Sequence, residues 1–253
     1  MIPFFFGSGD YQLFGVYHQP EINAPKSHSI LICSPIAHEY LRAYRILRKL
    51  AEQLAKNGNH VFRFDWYGHG DSRGSFDECR LSIWIQNLIS AIDELTEYSG
   101  HNSVSIVGLR FGTTLSLLAS ENIINKIDHI VLWDPLFKGT KWIEDLTNLH
   151  SASSYLKSGK ENSDYIERIG FAYSKDLIND IKDIDIFYFD SKYESVNIFS
   201  DNDTGSNQPV FSAHNPASFS LSDTHIFWND PKSFDRIIMF SQVIKSISDI
   251  FKD

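Results

Sequence analysis

Short, continuous apolar runs alternate along the chain with longer stretches in which apolar residues recur every three or four positions. The runs are rich in β-branched residues, which is typical of strands buried on both faces of a sheet. The longer stretches predict helices that pack against that sheet. This alternation indicates a parallel sheet with helices on both faces and right-handed crossovers. The strands are predicted at 29–33, 60–64, 104–107 and 127–133, and the helices at 41–56, at 81–95 and after residue 112.

Three regions depart from this alternation. Residues 2–7 and 11–18 are rich in Phe and Tyr and are separated by Gly7-Ser8-Gly9-Asp10, which predicts a β-hairpin. Residues 138–190 break the rhythm with two short amphipathic segments, and we expect them to form a lid inserted between core strands. The remaining elements are predicted as strands at 195–199 and 217–221, a loop at 200–216 and a closing helix at 232–251.

Composition limits the classes of function. The chain has 253 residues, of which 42% are hydrophobic, so we expect one α/β domain over residues 1–253 with a full core. The net charge of −9 argues against nucleic acid or an anionic membrane as the main partner. Residues 1–6 show no basic region followed by a long apolar stretch, and no run approaches the ~18 apolar residues of a membrane span. We therefore expect a cytoplasmic protein.

Cysteine and motif content argue against bound metals and cofactors. The two cysteines, Cys33 and Cys79, are too few for a disulfide framework or a zinc site, so reduced thiols are expected. No His, Cys and Asp residues have the spacing of metal ligands, and no Gly-rich loop has the pattern of a phosphate or dinucleotide site. We expect neither a metal nor a cofactor.

The turn Gly108-Leu109-Arg110-Phe111-Gly112 lies between a buried strand and a packed helix. A residue between two such glycines sits on a strained corner with its side chain above the sheet, as in the nucleophile elbow Gly-x-Ser-x-Gly. Here the central residue is Arg110. Arginine stays protonated and is not a nucleophile, so the covalent acyl-enzyme route has no attacking oxygen at this position.

Four segments, in order over nearly the whole chain, resemble the α/β-hydrolase superfamily. They are the loop Ser34–Tyr40, where that family places part of its oxyanion hole; residues 65–72, similar to Asp-x-x-Gly-x-Gly-x-Ser; the elbow at 108–112; and residues 223–228, similar to the stretch that carries the catalytic His. The resemblance implies the α/β-hydrolase fold, with a mostly parallel central sheet, helices on both faces and a lid insertion at about 138–190.

A closer resemblance rests on two short segments, the Gly-Leu-Arg-x-Gly elbow and Leu132-Trp133-Asp134-Pro135. Some bacterial hydrolase-like proteins encoded near exopolysaccharide (exosortase-associated) or polyketide pathways share both. This similarity suggests that arginine in place of the elbow serine is the property of a subgroup.

The resemblance implies that His225 is a general base, because a neutral imidazole can accept a proton near pH 7. Its acid partner is Asp203 (or Asp201), after the 195–199 strand, or Asp134, after the preceding core strand. The backbone N–H groups of Ile36 or Ala37 and of Phe111 would form the oxyanion hole. His38 and Glu39 are expected to shape that loop, and a catalytic role for their side chains is an alternative.

Two roles are open for Arg110. At a helix N-terminus, backbone N–H groups and the helix dipole favour negative charge, so its guanidinium would hold a carboxylate or phosphate of the substrate. Alternatively, Arg110 is structural and pairs with a nearby carboxylate such as Asp134, because a buried charge needs a partner.

Two functional hypotheses follow. The first is an enzyme for a small or carrier-bound acyl substrate, an anionic ester or thioester, in which His225 and an Asp activate water or a substrate group and Arg110 holds the anion. The second is a catalytically silent pseudo-hydrolase that serves as a binding or scaffold protein in a biosynthetic pathway.

Overall fold

The computed structural model describes residues 1–22, 26–123, 127–153, 161, 164–189, 193–200, 210–211, 216–220, 228 and 240–252. The described helices are α1 (Ala37–Lys56), α2 (Leu81–Ser99), α3 (Phe111–Ile123), α4 (Gly139–Ala152), α5 (Lys175–Lys182) and α6 (Ser241–Ile250). The strands are β1 (Ile2–Phe6), β2 (Leu13–His18), β3 (Ser29–Cys33), β4 (His60–Phe64), β5 (Val104–Leu109), β6 (Ile127–Trp133), β7 (Tyr165–Arg168), β8 (Phe171–Ser174), β9 (Tyr188–Phe189), β10 (Ser195–Ser200), β11 (Val210–Phe211) and β12 (Ala217–Ser220).

Eight strands form the central sheet in the order β1-β2-β4-β3-β5-β6-β10-β12. The hairpin β1–β2 is antiparallel and joins the sheet through an antiparallel pairing of β2 with β4. From β4 to β12 every pairing is parallel. The mostly parallel sheet of the α/β-hydrolase fold is therefore confirmed. In such a sheet the carboxyl ends of β3, β5 and β6 meet at one edge, where ligands bind.

Helices cover both faces of this sheet, as the apolar periodicity predicts. One face packs against α1 and α6 through a cluster that includes Ile32, Leu50 and Ile244. The opposite face packs against α2 and α3 through a cluster that includes Leu31 and Leu88. No described helix is both long enough and apolar enough to cross a bilayer.

Between β6 and β10 the chain leaves the sheet, as predicted, but its content differs from the prediction of two short helices alone. The strands β7 and β8 form an antiparallel hairpin between α4 and α5. Arg80, which precedes α2, holds α5 against the core. Its Nε and Nη2 donate to the Asp180 carboxylate at 2.8 and 3.0 Å, and its Nη1 donates to Asp176 at 2.9 Å.

The predictions for the last fifth of the chain are covered only in part. The strand predicted at 217–221 is present as β12, and β11 lies within the stretch predicted as a loop at 200–216. Of the helix predicted at 232–251, α6 accounts for 241–250, and residues 229–239 lie outside the described part of the chain.

The predicted start of the first helix is wrong by four residues. Helix α1 begins at Ala37, so His38, Glu39 and Tyr40 belong to its first turn and not to a loop. The Tyr40 N–H already bonds back to the Ile36 carbonyl. Ala37 adopts a left-handed backbone conformation with φ 54°, which no hydrophobic pattern reveals.

The conformation of Ala37 predicts that Ala37→Gly stabilises the protein by about 0.5–1 kcal/mol. A left-handed φ costs an L-residue about 1–2 kcal/mol, and glycine loses about half of that gain through its extra freedom in the unfolded chain. Ala43→Gly, in the buried interior of the same helix, is the control and should destabilise by about 1 kcal/mol or more. Urea unfolding checks both values, and destabilisation by both variants would contradict the strained conformation.

Candidate functional site

Three non-glycine residues at the carboxyl edge of the sheet have a left-handed backbone conformation. They are Ala37, which follows β3, Arg110, which follows β5, and Asp134, which follows β6, with φ values of 54°, 52° and 48°. Because strained backbone of this kind persists only where the surroundings enforce it, its concentration on three neighbouring strands points to a functional site.

The elbow geometry depends on its two glycines. A Cβ on Gly112 would collide with the backbone carbonyl of Cys33, and one on Gly108 would lie 2.8 Å from the Thr113 Cα. These close approaches bring the start of α3 against the end of β3. They fix Arg110 at the position that the family gives to its nucleophile.

The Arg110 guanidinium is held by two carboxylates. Its Nε and Nη2 both donate to Glu39 Oε1, at 3.1 and 2.9 Å. Its Nη1 lies 3.6 Å from Asp134 Oδ2. The Arg110 and Asp134 side chains are 7% and 9% exposed and that of Glu39 is 1% exposed, so this is a buried ion cluster.

Burial and the neighbouring charges shift the pKa values of Arg110 and Glu39 in opposite directions. Burial alone would lower the pKa of Arg110, but Glu39, Asp134 and the nearby Asp145 outweigh it and raise that pKa. Burial raises the pKa of the Glu39 carboxyl, and the Arg110 charge opposes that rise. Arg110 therefore stays charged.

Glu39 is the partner that the sequence interpretation missed. The expected partner, Asp134, does lie beside Arg110, but the hydrogen bonds go to Glu39. A signal was available: a carboxylate in the first turn of an apolar helix is rarely buried unless it is paired. The sequence pattern predicts a loop at residues 36–40, and a loop does not specify whether Glu39 faces the core or the solvent. The burial of Glu39 becomes evident only once these residues are known to begin helix α1.

One backbone amide expected in the oxyanion hole, the N–H of Ala37, already donates a hydrogen bond within the protein. The Ala37 N–H donates to Nε2 of His69 at 2.9 Å, and the other ring nitrogen, Nδ1, faces the Tyr67 carbonyl at 3.2 Å. Burial lowers the pKa of His69 to about 4, so the imidazole is neutral and can accept this bond. An oxyanion at Ala37 would have to displace His69.

The other predicted residues of this edge are also buried. Ile36 and Phe111 are fully buried, and Phe111 begins α3 directly after the elbow. His38 is 3% exposed, and neither of its ring nitrogens has a hydrogen-bond partner. Burial, reinforced by the charges of Arg42 and Arg110, lowers the pKa of His38 to about 3, so this histidine is neutral at pH 7.

Alternative nucleophiles near the elbow are occupied by structural bonds. The Ser116 hydroxyl donates to the Gly112 carbonyl at 2.7 Å within α3. The Ser72 hydroxyl donates to the Asp65 carbonyl at 2.6 Å and accepts the Phe14 N–H at 2.9 Å. Cys33 and Cys79 are free, buried thiols, and burial raises the pKa of each to about 12.

The predicted base His225 and its predicted partners Asp201 and Asp203 lie outside the described residues. Within the described part of the chain, no three His, Cys, Asp or Glu residues are arranged to hold a metal ion.

The fold and this elbow define an α/β-hydrolase, and a family comparison agrees. The model of the family described as serine aminopeptidase, S33 (Hydrolase_4) matches residues 31–169, more than half of the chain. The chain belongs to this family. The matched region contains Ala37, Glu39, the elbow and Asp134.

Two relatives named acyl transferase share shorter stretches. The protein from Photorhabdus luminescens is 41% identical over 78 residues, which cover 30% of this chain and 24% of that protein. The protein from Aliivibrio fischeri is 36% identical over 110 residues, which cover 43% of this chain and 33% of that protein. The similarity thus spans a quarter to a third of the length of these relatives.

Solved structures agree on the fold over almost the whole chain. The α/β hydrolase domain-containing protein 10 from mouse has a TM-score of 0.64 at 15% identity and covers 99% of this chain and 98% of that one. Est1E from Butyrivibrio proteoclasticus, with ferulic acid bound, has a TM-score of 0.63 at 14% identity and covers 98% and 96%. At these identities the likeness shows the fold alone.

The buried ion cluster predicts that Arg110→Ala destabilises the protein by about 3–5 kcal/mol, because it leaves carboxylates buried without their cation. Adding Glu39→Gln to Arg110→Ala should recover part of that loss. Arg48→Ala is the control. It removes an exposed pair with Glu52 at 2.9 Å and should cost about 0.5 kcal/mol or less. Urea unfolding of the double-mutant cycle checks this, and additive losses at Arg110 and Glu39 would contradict the coupling.

The neutral histidines predict a loss of stability in mild acid. Below pH 6.5, the ordinary value, the unfolded chain protonates His38 and His69, whereas burial keeps both neutral in the folded state until about pH 3 and about pH 4. Unfolding free energy should fall by about 1.4 kcal/mol per pH unit for each, or about 4 kcal/mol in all at pH 5, less a partial offset from the raised pKa of Glu39.

Urea titrations at pH 7, 6 and 5 measure this dependence. His69→Gln removes one titrating group while keeping an acceptor for the Ala37 N–H, so its pH dependence should be shallower. A wild-type stability that is constant from pH 7 to pH 5 would show that these imidazoles are not held neutral.

Proposed function

We propose that this protein binds an acyl ligand, an ester or thioester, and does not form a covalent acyl-enzyme. The observation that carries the proposal is the identity and environment of the elbow residue. Arg110 stands at the nucleophile position, two of its three guanidinium nitrogens donate to Glu39, and the third faces Asp134. No oxygen or sulfur nucleophile is presented there.

The engaged oxyanion amide supports the same conclusion. A serine hydrolase needs backbone donors aimed at the developing oxyanion. In this chain the Ala37 donor is bound to His69. The acyl nature of the ligand rests on the family and on the relatives named acyl transferase. The protein is then a pseudo-hydrolase that recognises what its relatives process.

A specific contact supports assigning the arginine elbow to a subgroup. The two segments whose sequences resemble that subgroup are joined in space. The Arg110 N–H donates to the Trp133 carbonyl at 2.9 Å, and the Arg110 guanidinium faces Asp134. The Arg110 guanidinium and the Asp134 carboxylate thus lie beside each other, and this proximity supports the joint occurrence of the two segments in a subgroup.

A second candidate is an enzyme in which water or a substrate group attacks, with His225 as the base, Asp203 or Asp134 as its partner, and Arg110 on an anionic group. One observation favours it. Arg110 Nη1 is 3.6 Å from Asp134, longer than either bond to Glu39, so it is the donor most readily turned to a ligand. In this case Phe111 and Ile36 would supply oxyanion donors beside His38.

We expect a fluorophosphonate probe, which labels activated serines, to leave the wild-type protein unlabelled. Arg110→Ser restores the Gly-x-Ser-x-Gly pattern and is the test of the remaining machinery. Labelling of this variant at residue 110, with hydrolysis of a short activated ester, would show that a base is aligned and would favour the enzyme candidate.

Peptide mass spectrometry locates any label, and a urea melt shows that the variant is folded. A folded, unlabelled Arg110→Ser variant supports the silent binding protein. Stoichiometric labelling of the wild-type protein at any serine would overturn the proposal.

A further inference from the structure

A cavity of about 430 Å³ lies between the end of β2 and the last turns of α1. Its walls come from both elements and include His18, Pro20, Glu52, Ala55 and Lys56. Helix α1 has 20 residues, with Glu39 of the ion cluster in its first turn and Lys56 at its end, so roughly 25 Å of helix separates the two. The cavity and the elbow are therefore separate places in the fold.

His18 is a buried hydrogen-bond donor in the wall of this cavity. It is 3% exposed, and its Nε2 accepts the Nε–H of Arg63 at 3.2 Å. Burial, reinforced by the Arg63 charge, lowers the pKa of His18 to about 4, so the ring is neutral at pH 7. A neutral imidazole that accepts at Nε2 carries its proton on Nδ1. This Nδ1–H has no acceptor among the described residues, and it is not sealed from the cavity.

The guanidinium of Arg63 strengthens this donor. Arg63 is 9% exposed, and its contacts are the bond to His18 and the ring of Tyr44, 5.0 Å from the guanidinium carbon. No carboxylate of the described residues forms an ion pair with it; the nearby Asp65 bonds instead to the Tyr40 hydroxyl and to a backbone N–H. A hydrogen bond donated to one side of an imidazole polarises the N–H on the other side. An anion at Nδ1 would therefore give the buried cation a counter-charge.

The carboxylates around the cavity are largely compensated. Arg48 and Lys49 hold Glu52 at 2.9 and 3.4 Å, and the hydrogen bond from Arg48 lowers the pKa of that carboxyl. Glu21 also lines the cavity, but it is exposed to solvent. Lys56 lines the cavity and forms no ion pair within the described part of the chain. The fixed charge near His18 therefore favours an anion.

The end of α1 does not oppose an anion here. A helix C-terminus carries free carbonyls and the negative end of the helix dipole. The carbonyl of Ala55 accepts the N–H groups of Glu21 and Gly58 at 2.9 and 3.0 Å, and that of Leu54 accepts the Asn59 N–H at 3.2 Å. With these acceptors occupied, the charge that this helix end presents to the cavity is that of Lys56.

We propose that this cavity binds the oxyanion of a small organic molecule, a carboxylate or a phosphate ester, on His18 Nδ1–H and Lys56 Nζ. The cavity is larger than such a group alone, so the anion is the head group of a larger molecule whose apolar part packs on Pro20 and Ala55. The proposal does not depend on the proposed function, because none of the elbow residues takes part in it.

Phenyl phosphate, benzoate and benzyl alcohol test the head group, because they share one aromatic ring and differ in charge. Calorimetric titration at low ionic strength should show binding of the anions and none of benzyl alcohol. The anion that binds more tightly identifies the head group as phosphate or carboxylate. Absence of binding by both anions, or equal binding of benzyl alcohol, would overturn the proposal.

The donor itself is observable in the wild-type protein labelled with ¹⁵N at histidine. Long-range ¹H–¹⁵N spectra should show His18 protonated on Nδ1, and the Nδ1 resonance should move when the anion binds. The ring resonances of His150, on α4, are the internal control and should stay in place. A His18 ring protonated on Nε2, or one whose resonances do not move at saturation, would contradict the proposed contact.

Two charge variants separate a specific site from general attraction. Lys56→Gln should weaken anion binding about 2- to 5-fold, as loss of an exposed ion pair does. Lys182→Gln, at the exposed end of α5, removes the same charge elsewhere and should leave binding unchanged. Equal effects of the two variants would leave only general attraction and would overturn the proposal.

His18→Phe removes the donor and should weaken anion binding about 10-fold or more, as loss of a hydrogen bond to a charged group does. A urea melt shows whether this variant is folded, and if it is not, the spectra of the wild type and the two lysine variants decide the question. A folded His18→Phe variant that binds the anion as the wild type does would show that His18 is not the donor and would overturn the proposal.

Discussion

The ion cluster of Arg110, Glu39 and Asp134 is the constraint on which the rest of the site depends. A guanidinium that is 7% exposed needs partners that compensate its charge, and here two carboxylates from other elements of the fold do so. Glu39 arrives from the first turn of α1 and Asp134 from the end of β6. The cluster therefore ties β3, β5 and β6 together at the edge where a hydrolase would hold its nucleophile.

The backbone of the elbow is that of a hydrolase, but its central side chain is an arginine that cannot act as a nucleophile. The glycines of the elbow and the strained φ of residue 110 are those that a nucleophile would need. The side chain placed there is a cation that lies between two carboxylates, those of Glu39 and Asp134. This member of a hydrolase family thus keeps the backbone of the elbow while residue 110 carries a buried charge held by carboxylates.

The Ala37 N–H, which the sequence analysis expects in the oxyanion hole, also has a partner within the protein. The N–H of Ala37 follows the carboxyl end of β3, and a neutral imidazole from the glycine-rich turn, that of His69, accepts its hydrogen bond. Burial keeps that imidazole neutral, and neutrality is what allows it to accept. The Ala37 N–H and the side chain at residue 110 occupy positions that a hydrolase leaves open for substrate. Here His69 binds the first and Glu39 binds the second.

The sequence by itself determined the fold class, the order of the core elements and the position of the elbow. Those depend on local apolar periodicity and on glycines, which are read along the chain. The strand at Ser29–Cys33 and the hairpin of β1 and β2 follow directly from such patterns. The sequence also shows arginine and not serine at residue 110, which excludes a serine nucleophile at the elbow in any tertiary arrangement.

Only the tertiary structure decided what Arg110 touches. Glu39 is 71 residues away in the chain, and its role depends on α1 beginning at Ala37, four residues earlier than the apolar pattern predicts. The bond from Ala37 to His69 joins the first residue of α1 to the glycine-rich turn after β4, 32 residues later in the chain. The hairpin that carries Tyr173 lies in an insertion whose apolar residues show no regular spacing along the sequence. Contacts of this kind arise from packing between distant segments, and burial, which a linear sequence does not state, sets their charge and protonation.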